Sequence, residues 1–330
     1  MIRYILKRLL MMIPVVLGVT VLIFTIMYFT PGDPAQTVLG PNASFEQIEA
    51  KRVELGLDKP YLTRLGIYIR DVFFRGDLGK SYINNRSVSG DIMERFPRTL
   101  LIAFVSVLLT LIIGIPLGVA SAVGQNTWRD RLAMLVSLVG VSMPVFWLGL
   151  VLVIEFSLKL KIFPPSGIGT PLHYVLPCFA CAVGGIAGMA RQTRSSMLEV
   201  IRSDYIVTAR AKGQTEHKVI YRHALKNTLI PIITVAGSSF GISLGGALVI
   251  ETVFSIPGLG LFMMKGINNR DYPVIQGSVV FLAIAFSIVM LITDLVYAYV
   301  DPRIKSQYQG KKRIGKSAKK KEEQSAAERA

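Results

Sequence analysis

The chain has 330 residues, of which 52% are hydrophobic, and it carries a formal net charge of +16. Its mean hydropathy of +0.49 is too high for a soluble domain of this length and indicates an integral membrane protein. The basic residues are therefore expected in cytoplasmic loops, and only secondarily on a nucleic-acid surface. Cys178 and Cys181 lie in one apolar segment and give no disulfide framework.

Apolar runs predict an all-α integral membrane fold with six transmembrane helices. The first run follows three basic residues and extends for about 21 residues, which is longer than the apolar region of a signal peptide. We therefore interpret it as a retained helix. Runs of this length satisfy their backbone hydrogen bonds in lipid as helices. The predicted spans are 9–30, 99–122, 132–158, 172–190, 228–251 and 277–300.

The distribution of lysine and arginine predicts that both termini are cytoplasmic. With this orientation the cytoplasmic pieces hold 23 basic residues and the outer pieces hold 14, ten of them in one long loop at 31–98. Long translocated loops escape the positive-inside rule, so the comparison rests on the short outer loops, which hold four. We expect one transmembrane domain over 1–304, with a helical cap at 31–98, and a disordered basic tail at 305–330.

Small residues and prolines are frequent in the spans. Glycines one turn apart allow helices to approach closely, either within this chain or against a second membrane subunit. Such pairs are Gly114 with Gly118, Gly184 with Gly188, and Gly237 with Gly241 and Gly245. Prolines invite kinks at positions 14, 116, 144, 177 and 231. Small polar residues of the kind that suit a path for a polar solute are Ser142, Ser238, Ser239 and Ser243.

Three acidic residues, Glu155, Glu251 and Asp294, fall inside predicted spans. An intramembrane carboxylate is a functional hypothesis by default, although all three lie near span ends, where interfacial placement is the competing interpretation. No basic residue lies at mid-span to form an ion relay. The C-x-x-C pair and the three scattered histidines lack metal-ligand spacing, so the sequence predicts neither a metal site nor a catalytic centre.

The loop 191–227 is predicted to contain two short helices separated by a sharp break. Ser203 and Asp204 are typical of a helix start, and Gly213 is typical of a helix end. Thr215 and Glu216 can start a second helix that continues into the fifth span. Eight basic residues against three acidic ones suit anionic lipid or an acidic groove on a protein. The loop has only two aromatic residues among its bases, and nucleic-acid binding would leave the six spans unexplained, so this role is disfavoured.

Six segments of the sequence together resemble a known family. They are, in chain order, GDLGKSY, IGIPLGVASA, DYIVTARAKG, RHALKNTLIP, ETVFSIPGLG and YAYVDPRI. The chain resembles the permease subunits of ABC importers, in the branch of the oligopeptide, dipeptide and nickel systems, and is most similar to their B-type subunit. It departs from the family pattern at Val207, Thr208 and Ala209, which stand at the E-A-A letters, and at Ser87, where a proline is frequent.

The resemblance implies roles for two of these segments. The loop 191–227 would carry a coupling helix that docks in a cleft of a cytoplasmic ATPase. The segment ETVFSIPGLG would face a substrate-binding protein or form part of an outer gate, with a simple re-entrant turn as the alternative. The coupling residues would be Asp204, Tyr205, Ala209, Arg210, Ala211, Lys212, Gly213, His223, Ala224, Asn227 and Pro231. The path or gate would use the four serines together with Glu251, Pro257, Gly258 and Gly260.

The resemblance also implies a function. The chain would be a non-catalytic, multi-pass subunit in a bacterial or archaeal inner membrane. Its expected partners are a homologous C-type permease, two ABC ATPases that bind Mg-ATP, an extracytoplasmic binding protein and membrane lipids, with no cofactor on this chain and no nucleic acid. Di- or oligopeptides are the expected solute, with nickel chelates, glutathione or oligosaccharides as alternatives. A secondary transporter or channel acting alone would instead predict inverted repeats and a mid-span charge.

Overall fold

The computed structural model describes residues 2–300, and the predicted tail at 305–330 lies outside them. Within these residues the chain is helical, and its one β-type pairing is an isolated bridge between Lys80 and Ser87. The all-α prediction is therefore confirmed.

Thirteen α-helices and two π-helical segments make up the described chain. They are α1 (Ile2–Phe29), α2 (Pro34–Leu39), α3 (Phe45–Glu54), α4 (Tyr61–Arg75), α5 (Val88–Val123), α6 (Trp128–Ser142), α7 (Val145–Leu152), the π-segment Val153–Lys159, α8 (Leu172–Ile201), α9 (Asp204–Ala211), α10 (Glu216–Lys218), the π-segment Val219–Ala224, α11 (Leu225–Val253), α12 (Leu259–Asn268) and α13 (Tyr272–Val300).

Five of the described helices, α1, α5, α8, α11 and α13, are long and apolar enough to cross a membrane. They correspond to five of the six predicted spans. The remaining predicted span, 132–158, is sharply bent near Pro144, where the sequence predicts a kink, and is not one continuous helix. It consists of α6 and of α7 with its π-segment, which meet at an angle of 102°.

The break in this span follows from Pro144, which precedes α7. The Met143 amide makes the last bond of α6, to the Val139 carbonyl oxygen, and Pro144 has no backbone N–H to continue the series. The other prolines of the predicted spans lie inside continuous helices: Pro14, Pro116, Pro177 and Pro231.

The two ends of the bundle are distinguished by which loops meet there. At one end the segment between α4 and α5 reaches the turn before α13, where Ser81 Oγ donates to Asp271 Oδ2 at 2.5 Å. At the other end the turn after α5 reaches the end of α8, where Arg202 donates to Gln125 Oε1 at 3.1 Å. We call these the outer and inner ends, following the predicted orientation.

The broken span connects these two ends. Near its start Asp130 pairs with Arg194 at the inner end, at 2.7 Å. Beyond its last residue the Gly167 amide donates to the Phe254 carbonyl oxygen at the outer end, at 3.0 Å. The pair α6–α7 therefore crosses the bundle in spite of its bend, and the described chain passes from one end to the other six times, as predicted.

The glycine pairs divide into packed and open positions. A Cβ atom added at Gly118 would lie 2.5 Å from the Ala190 carbonyl oxygen, so α5 and α8 are in close backbone contact there. One added at Gly237 would lie 2.7 Å from Thr293 Oγ1 of α13. No described atom lies within 4 Å of an added Cβ at Gly184, Gly188 or Gly245. Packing within the chain thus explains part of the pattern, and a face of α8 and α11 stays open.

The segment 31–98, the predicted outer cap, contains α2, α3 and α4. Ser44 caps α3 in a reciprocal capping box with Gln47, which satisfies backbone N–H groups at the helix start. The segment GDLGKSY leads from this cap into α5. It is anchored by the buried Asp271 carboxylate, which accepts from Ser81 Oγ and from the Tyr82 amide at 3.0 Å.

Candidate functional site

The inner-end loop contains the two short helices that the sequence predicts. Ser203 precedes α9, whose first residue is Asp204, and α9 ends at Ala211. Gly213 has a φ of +72°, the left-handed conformation that glycine adopts without a steric penalty. Thr215 then precedes α10. The predicted start, break and restart of the loop are therefore confirmed.

One face of this loop is fixed to the bundle by a small apolar core. Ile206 of α9 is fully buried, and with Val219, Ile220 and Ala224 of the following π-segment it packs against the inner ends of α5 and α8. Burying an isoleucine side chain contributes about 1.5–3 kcal/mol. The apolar core therefore holds one face of the coupling loop against the bundle.

The opposite face of the loop is open. The side chains from Arg210 to Lys218 are all exposed, and Val207 is 56% exposed. This face of the loop is therefore accessible to another macromolecule.

An ion pair closes the break between the two short helices. The Arg210 guanidinium donates to both Glu216 oxygens, at 3.1 Å from Nε and 2.7 Å from Nη2. These hydrogen bonds raise the pKa of Arg210 above its usual range. Such a bidentate pair fixes the geometry of the turn around Gly213. Lys212 lies between the partners in sequence, and it is exposed.

The loop is also connected to the fifth span. Asn227 Nδ2, in the first turn of α11, donates to the Tyr205 hydroxyl of α9 at 3.0 Å and to the His223 carbonyl oxygen at the same distance. Ala224 is fully buried next to this contact, and Pro231 lies two turns into α11. The helix α9 is therefore joined to α11 by both a polar and an apolar contact. The assignment of the coupling residues stays a prediction.

At the outer end Glu251, one of the predicted gate residues, lies near the end of α11, as the sequence predicts. Its complete burial within the protein was not predicted. Its carboxylate accepts from the Gly260 and Leu261 amides at the start of α12, at 2.7 and 3.1 Å, and from Thr99 Oγ1 at 2.5 Å. A carboxylate at this place satisfies the unpaired amides of a helix N-terminus and interacts favourably with its dipole.

The predicted gate residues converge on this carboxylate. Gly258 and Gly260 both border Glu251, where an added Cβ at either residue would meet the carboxylate. Arg98 of α5 donates to the Pro257 carbonyl oxygen at 2.9 Å. We call the contacts of Glu251, Thr99, Arg98 and the segment 257–261 the outer clamp. It joins α5, α11 and α12, so it has a structural role whether or not it also gates.

The four path serines do not form one cluster in this chain. Ser142 and Ser238 are exposed and donate to carbonyl oxygens one turn back, while Ser239 and Ser243 are mostly buried. Their assignment to a path stays a prediction.

Two ion pairs at the inner end were not predicted. Asp130 and Arg194 make a bidentate pair at 2.7 and 2.8 Å, with Asp130 almost fully buried. Asp294 pairs with Arg8 at 2.9 Å, so the partner of this carboxylate comes from the first helix. Glu155, by contrast, is exposed and pairs with Lys159, as expected for an interfacial position. The signal for Asp130 was its isolation as an acid at the border of an apolar run.

Comparisons with known proteins decide the family. Residues 114–306 match the family of binding-protein-dependent transport system inner membrane components, and residues 1–103 match the N-terminal family of the same transport-system membrane components. The chain belongs to this family. Its resemblance to ABC-importer permeases of the peptide and nickel branch is thereby confirmed, as is its place as a multi-pass inner-membrane protein.

Individual members of the permease family are similar over almost the whole chain. The dipeptide transport system permease protein DppB of Alkalihalophilus pseudofirmus is 41% identical over 333 residues, which covers 92% of this chain and 100% of the relative. The glutathione transport system permease protein GsiC of Salmonella typhimurium is 41% identical over 305 residues, with coverages of 92% and 99%. The GsiC protein of Escherichia coli K12 is 40% identical with the same coverages.

The fold of the permease is similar to that of a solved transporter. The inward-facing MetNI methionine ABC transporter has a chain that aligns with a TM-score of 0.56 at 20% identity, covering 64% of this chain and 96% of that one. This likeness supports the fold alone. Membership in the family implies that an ATPase and a substrate-binding protein work with this permease.

Proposed function

We propose that this permease forms half of the translocation path of an ATP-driven importer for di- or oligopeptides and passes movement from cytoplasmic ATPases to that path. The observation that carries the proposal is the inner-end loop. It presents α9 and the turn at Gly213 to the cytoplasm on an apolar base, with direct contacts to the fifth span. A partner that binds this surface and displaces it can thereby move the membrane helices.

The second half of the path would come from a homologous C-type permease. The open face of α8 and α11 supports this part of the proposal. Gly184, Gly188 and Gly245 have free space beside them, and Ile242 of α11 is 75% exposed. Glycines that are not covered within one chain allow a second helix to approach closely in a membrane. Two ATPases that bind Mg-ATP, one for each coupling loop, would complete the complex.

Peptide transport is supported by the names of the relatives. DppB is a dipeptide permease and GsiC a glutathione permease, and glutathione is itself a tripeptide. Nickel chelates and oligosaccharides remain alternatives within the same importer class. The permease would hydrolyse nothing itself and would hold no cofactor or metal.

The proposal is tested by purifying the tagged permease from its own membranes in mild detergent. Co-purifying proteins are identified, and Mg-ATP hydrolysis is measured for the wild type, for Arg210→Glu and for the charge swap Arg210→Glu with Glu216→Arg. The control is Lys161→Glu, a reversal at an exposed basic residue of the outer end. We expect a sister permease and ATPases with the wild type and with the control.

The charge swap separates two roles of Arg210. It restores the ion pair within the loop but reverses the charge that faces a partner. If Arg210 docks the ATPase, both Arg210→Glu and the swap lose the ATPases; if it only shapes the loop, the swap restores them. A wild-type permease that purifies alone, without ATPase activity, and still moves solute in liposomes would contradict the importer proposal and favour a secondary transporter.

A further inference from the structure

The buried ion pair between Asp130 and Arg194 connects three parts of the inner end. Arg194 of α8 donates through Nε to Asp130 Oδ1 at 2.7 Å and through Nη2 to Oδ2 at 2.8 Å. Asp130, in the first turn of α6, also accepts from Ser121 Oγ of α5 and from the Asn126 amide, the latter at 3.0 Å. Both carboxylate oxygens are therefore occupied by donors from three sources.

The Asp130–Arg194 pair is not an exposed surface ion pair. The Asp130 side chain is 4% exposed and that of Arg194 is 24% exposed. A buried ion pair often contributes little net stability compared with apolar residues of similar size, because both charges must be desolvated. The pair instead orients α6 relative to α8, because a bidentate contact fixes both the angle and the distance between the two side chains.

The pair lies on the same structural unit as the coupling loop. Gly118 brings α5 into backbone contact with Ala190 of α8, a short way along α8 from Arg194. Beyond Arg194, Met197 of α8 packs with Ile206 of α9 and with Val119 of α5. The inner ends of α5 and α8 and the helix α9 are therefore one packed unit. The ion pair is the charged contact among those that join α6 to this unit.

We propose that Asp130 and Arg194 are positioning residues that transmit movement of the coupling helix α9 to α6, and so to the broken span. This is a second route beside the contact of α9 with α11, and it rests on the proposed function. Along its length α6 stays close to α8 at Gly140, where an added Cβ would lie 3.2 Å from Val183. The bend of 102° before α7 is the place where a displacement of α6 changes the angle of the span.

The test compares variants of the complete complex. Asp130→Asn and Arg194→Gln each leave one buried partner unpaired, and they risk failing to assemble. The double variant Asp130→Leu with Arg194→Met removes both charges and keeps the volume apolar, so that no buried charge is left without a partner. The matched control is Glu155→Gln, which breaks an exposed ion pair at the outer end of the same span.

Two readouts are used in liposomes that contain the permease and its co-purified partners. The first is uptake of a radiolabelled dipeptide per ATP hydrolysed. The second is the distance between spin labels at Glu199→Cys on α8 and Leu135→Cys on α6, with and without ATP and vanadate. Both label sites are exposed, and the background carries Cys178→Ala and Cys181→Ala.

We expect the double variant to assemble and hydrolyse ATP while its uptake per ATP falls about fivefold or more, the lower range of an allosteric coupling. The label distance should be narrow and unchanged by nucleotide in the wild type, and nucleotide-dependent in the double variant. A double variant with normal uptake per ATP, or with the wild-type distance in both states, would overturn the proposal. The distance measurement requires no transported solute, so it tests the proposal even with a dipeptide that the complex does not transport.

Failure of the proposed function gives a different result. In that case the wild-type permease would carry no ATPase and no nucleotide-dependent activity at all. Loss of coupling in the double variant alone, with normal coupling in Glu155→Gln, supports the positioning role of the ion pair.

Discussion

At the scale of single residues, the two candidate regions depend on backbone groups as much as on side chains. Gly213 supplies a left-handed turn between α9 and α10, with no described atom within 4 Å of an added Cβ. Glu251 supplies acceptors for two amides at the start of α12. Position 213 therefore requires a left-handed φ angle, and position 251 requires a hydrogen-bond acceptor for the amides of α12.

Replacing Gly213 should test the φ angle alone, because there is space for a side chain. Gly213→Val places a β-branched residue in the left-handed region at a cost of roughly 1–2 kcal/mol, which distorts the turn beside Arg210. We expect uptake to be lost while the amount of permease in the membrane, measured by immunoblot, is unchanged. Gly213→Asn, which tolerates this conformation, is the control and should retain uptake. Equal uptake in both variants would contradict the role of the turn.

Removing the hydroxyl of Thr99 should loosen the outer clamp. This hydroxyl donates to Glu251 and accepts from the Leu259 amide at 2.9 Å. Thr99→Val leaves the buried Leu259 amide without its acceptor and Glu251 Oε1 without its donor, while Oε2 keeps its two amides. Losing these hydrogen bonds costs about 1–3 kcal/mol. We expect faster hydrogen exchange in a peptide that covers 257–268, measured by mass spectrometry. Thr99→Ser keeps the hydroxyl and should behave as the wild type; fast exchange in Thr99→Ser as well would show that the hydroxyl is not responsible.

At the scale of helices, close contact at glycine holds the bundle together where lipid supplies no hydrophobic drive between spans. The pair α5–α8 has the most extensive contacts among the described helices. Gly114 and Gly118 form its centre, against Met189 and Ala190.

A methyl group at Gly118 should therefore separate α5 from α8. The added Cβ would lie 2.5 Å from the Ala190 carbonyl oxygen, and overpacking of this kind costs about 1–3 kcal/mol. We expect Gly118→Ala to lower the unfolding temperature of the purified permease in detergent. Gly18→Ala, at an open glycine of α1, should leave it unchanged. An unchanged unfolding temperature in Gly118→Ala would contradict this prediction, because it would show that α5 and α8 can separate without loss of stability.

Local patterns in the sequence predicted the helices and the inner-end loop, because these depend on neighbouring residues. The helix start at Ser203 and Asp204, the break at Gly213 and the restart at Thr215 are examples. The bend of the span at 132–158 was indicated by Pro144, but its size depends on how α6 packs on α8. The contacts of Asp130 with Arg194, and of Glu251 with Thr99, join residues 64 and 152 positions apart. Such contacts exist only in the folded bundle.

At the scale of the whole molecule, the account requires that the outer cap and the coupling loop lie on opposite sides of the membrane. The helix α3 pairs through Arg52 with Asp33 just after α1, and α10 leads into the π-segment that packs on the inner ends of α5 and α8, so the two lie at opposite ends of the bundle. The basic residues predict which end is cytoplasmic.

This orientation can be measured with a membrane-impermeant maleimide on cells with an intact inner membrane. In a background with Cys178→Ala and Cys181→Ala, Glu54→Cys in the exposed part of α3 should be labelled from outside. Lys218→Cys in α10 should be labelled only after the inner membrane is permeabilised. The reverse pattern would invert the orientation and place α9 out of reach of a cytoplasmic ATPase.

The central claim is that solute movement through this permease is driven by ATP on partner subunits. The most direct test is uptake of a radiolabelled dipeptide into liposomes that contain the purified complex, with ATP trapped inside and the binding protein outside. We predict that uptake requires both the trapped ATP and the binding protein, and that the Gly213→Val complex does not support it. Uptake by the purified chain alone, without ATP, would contradict the account.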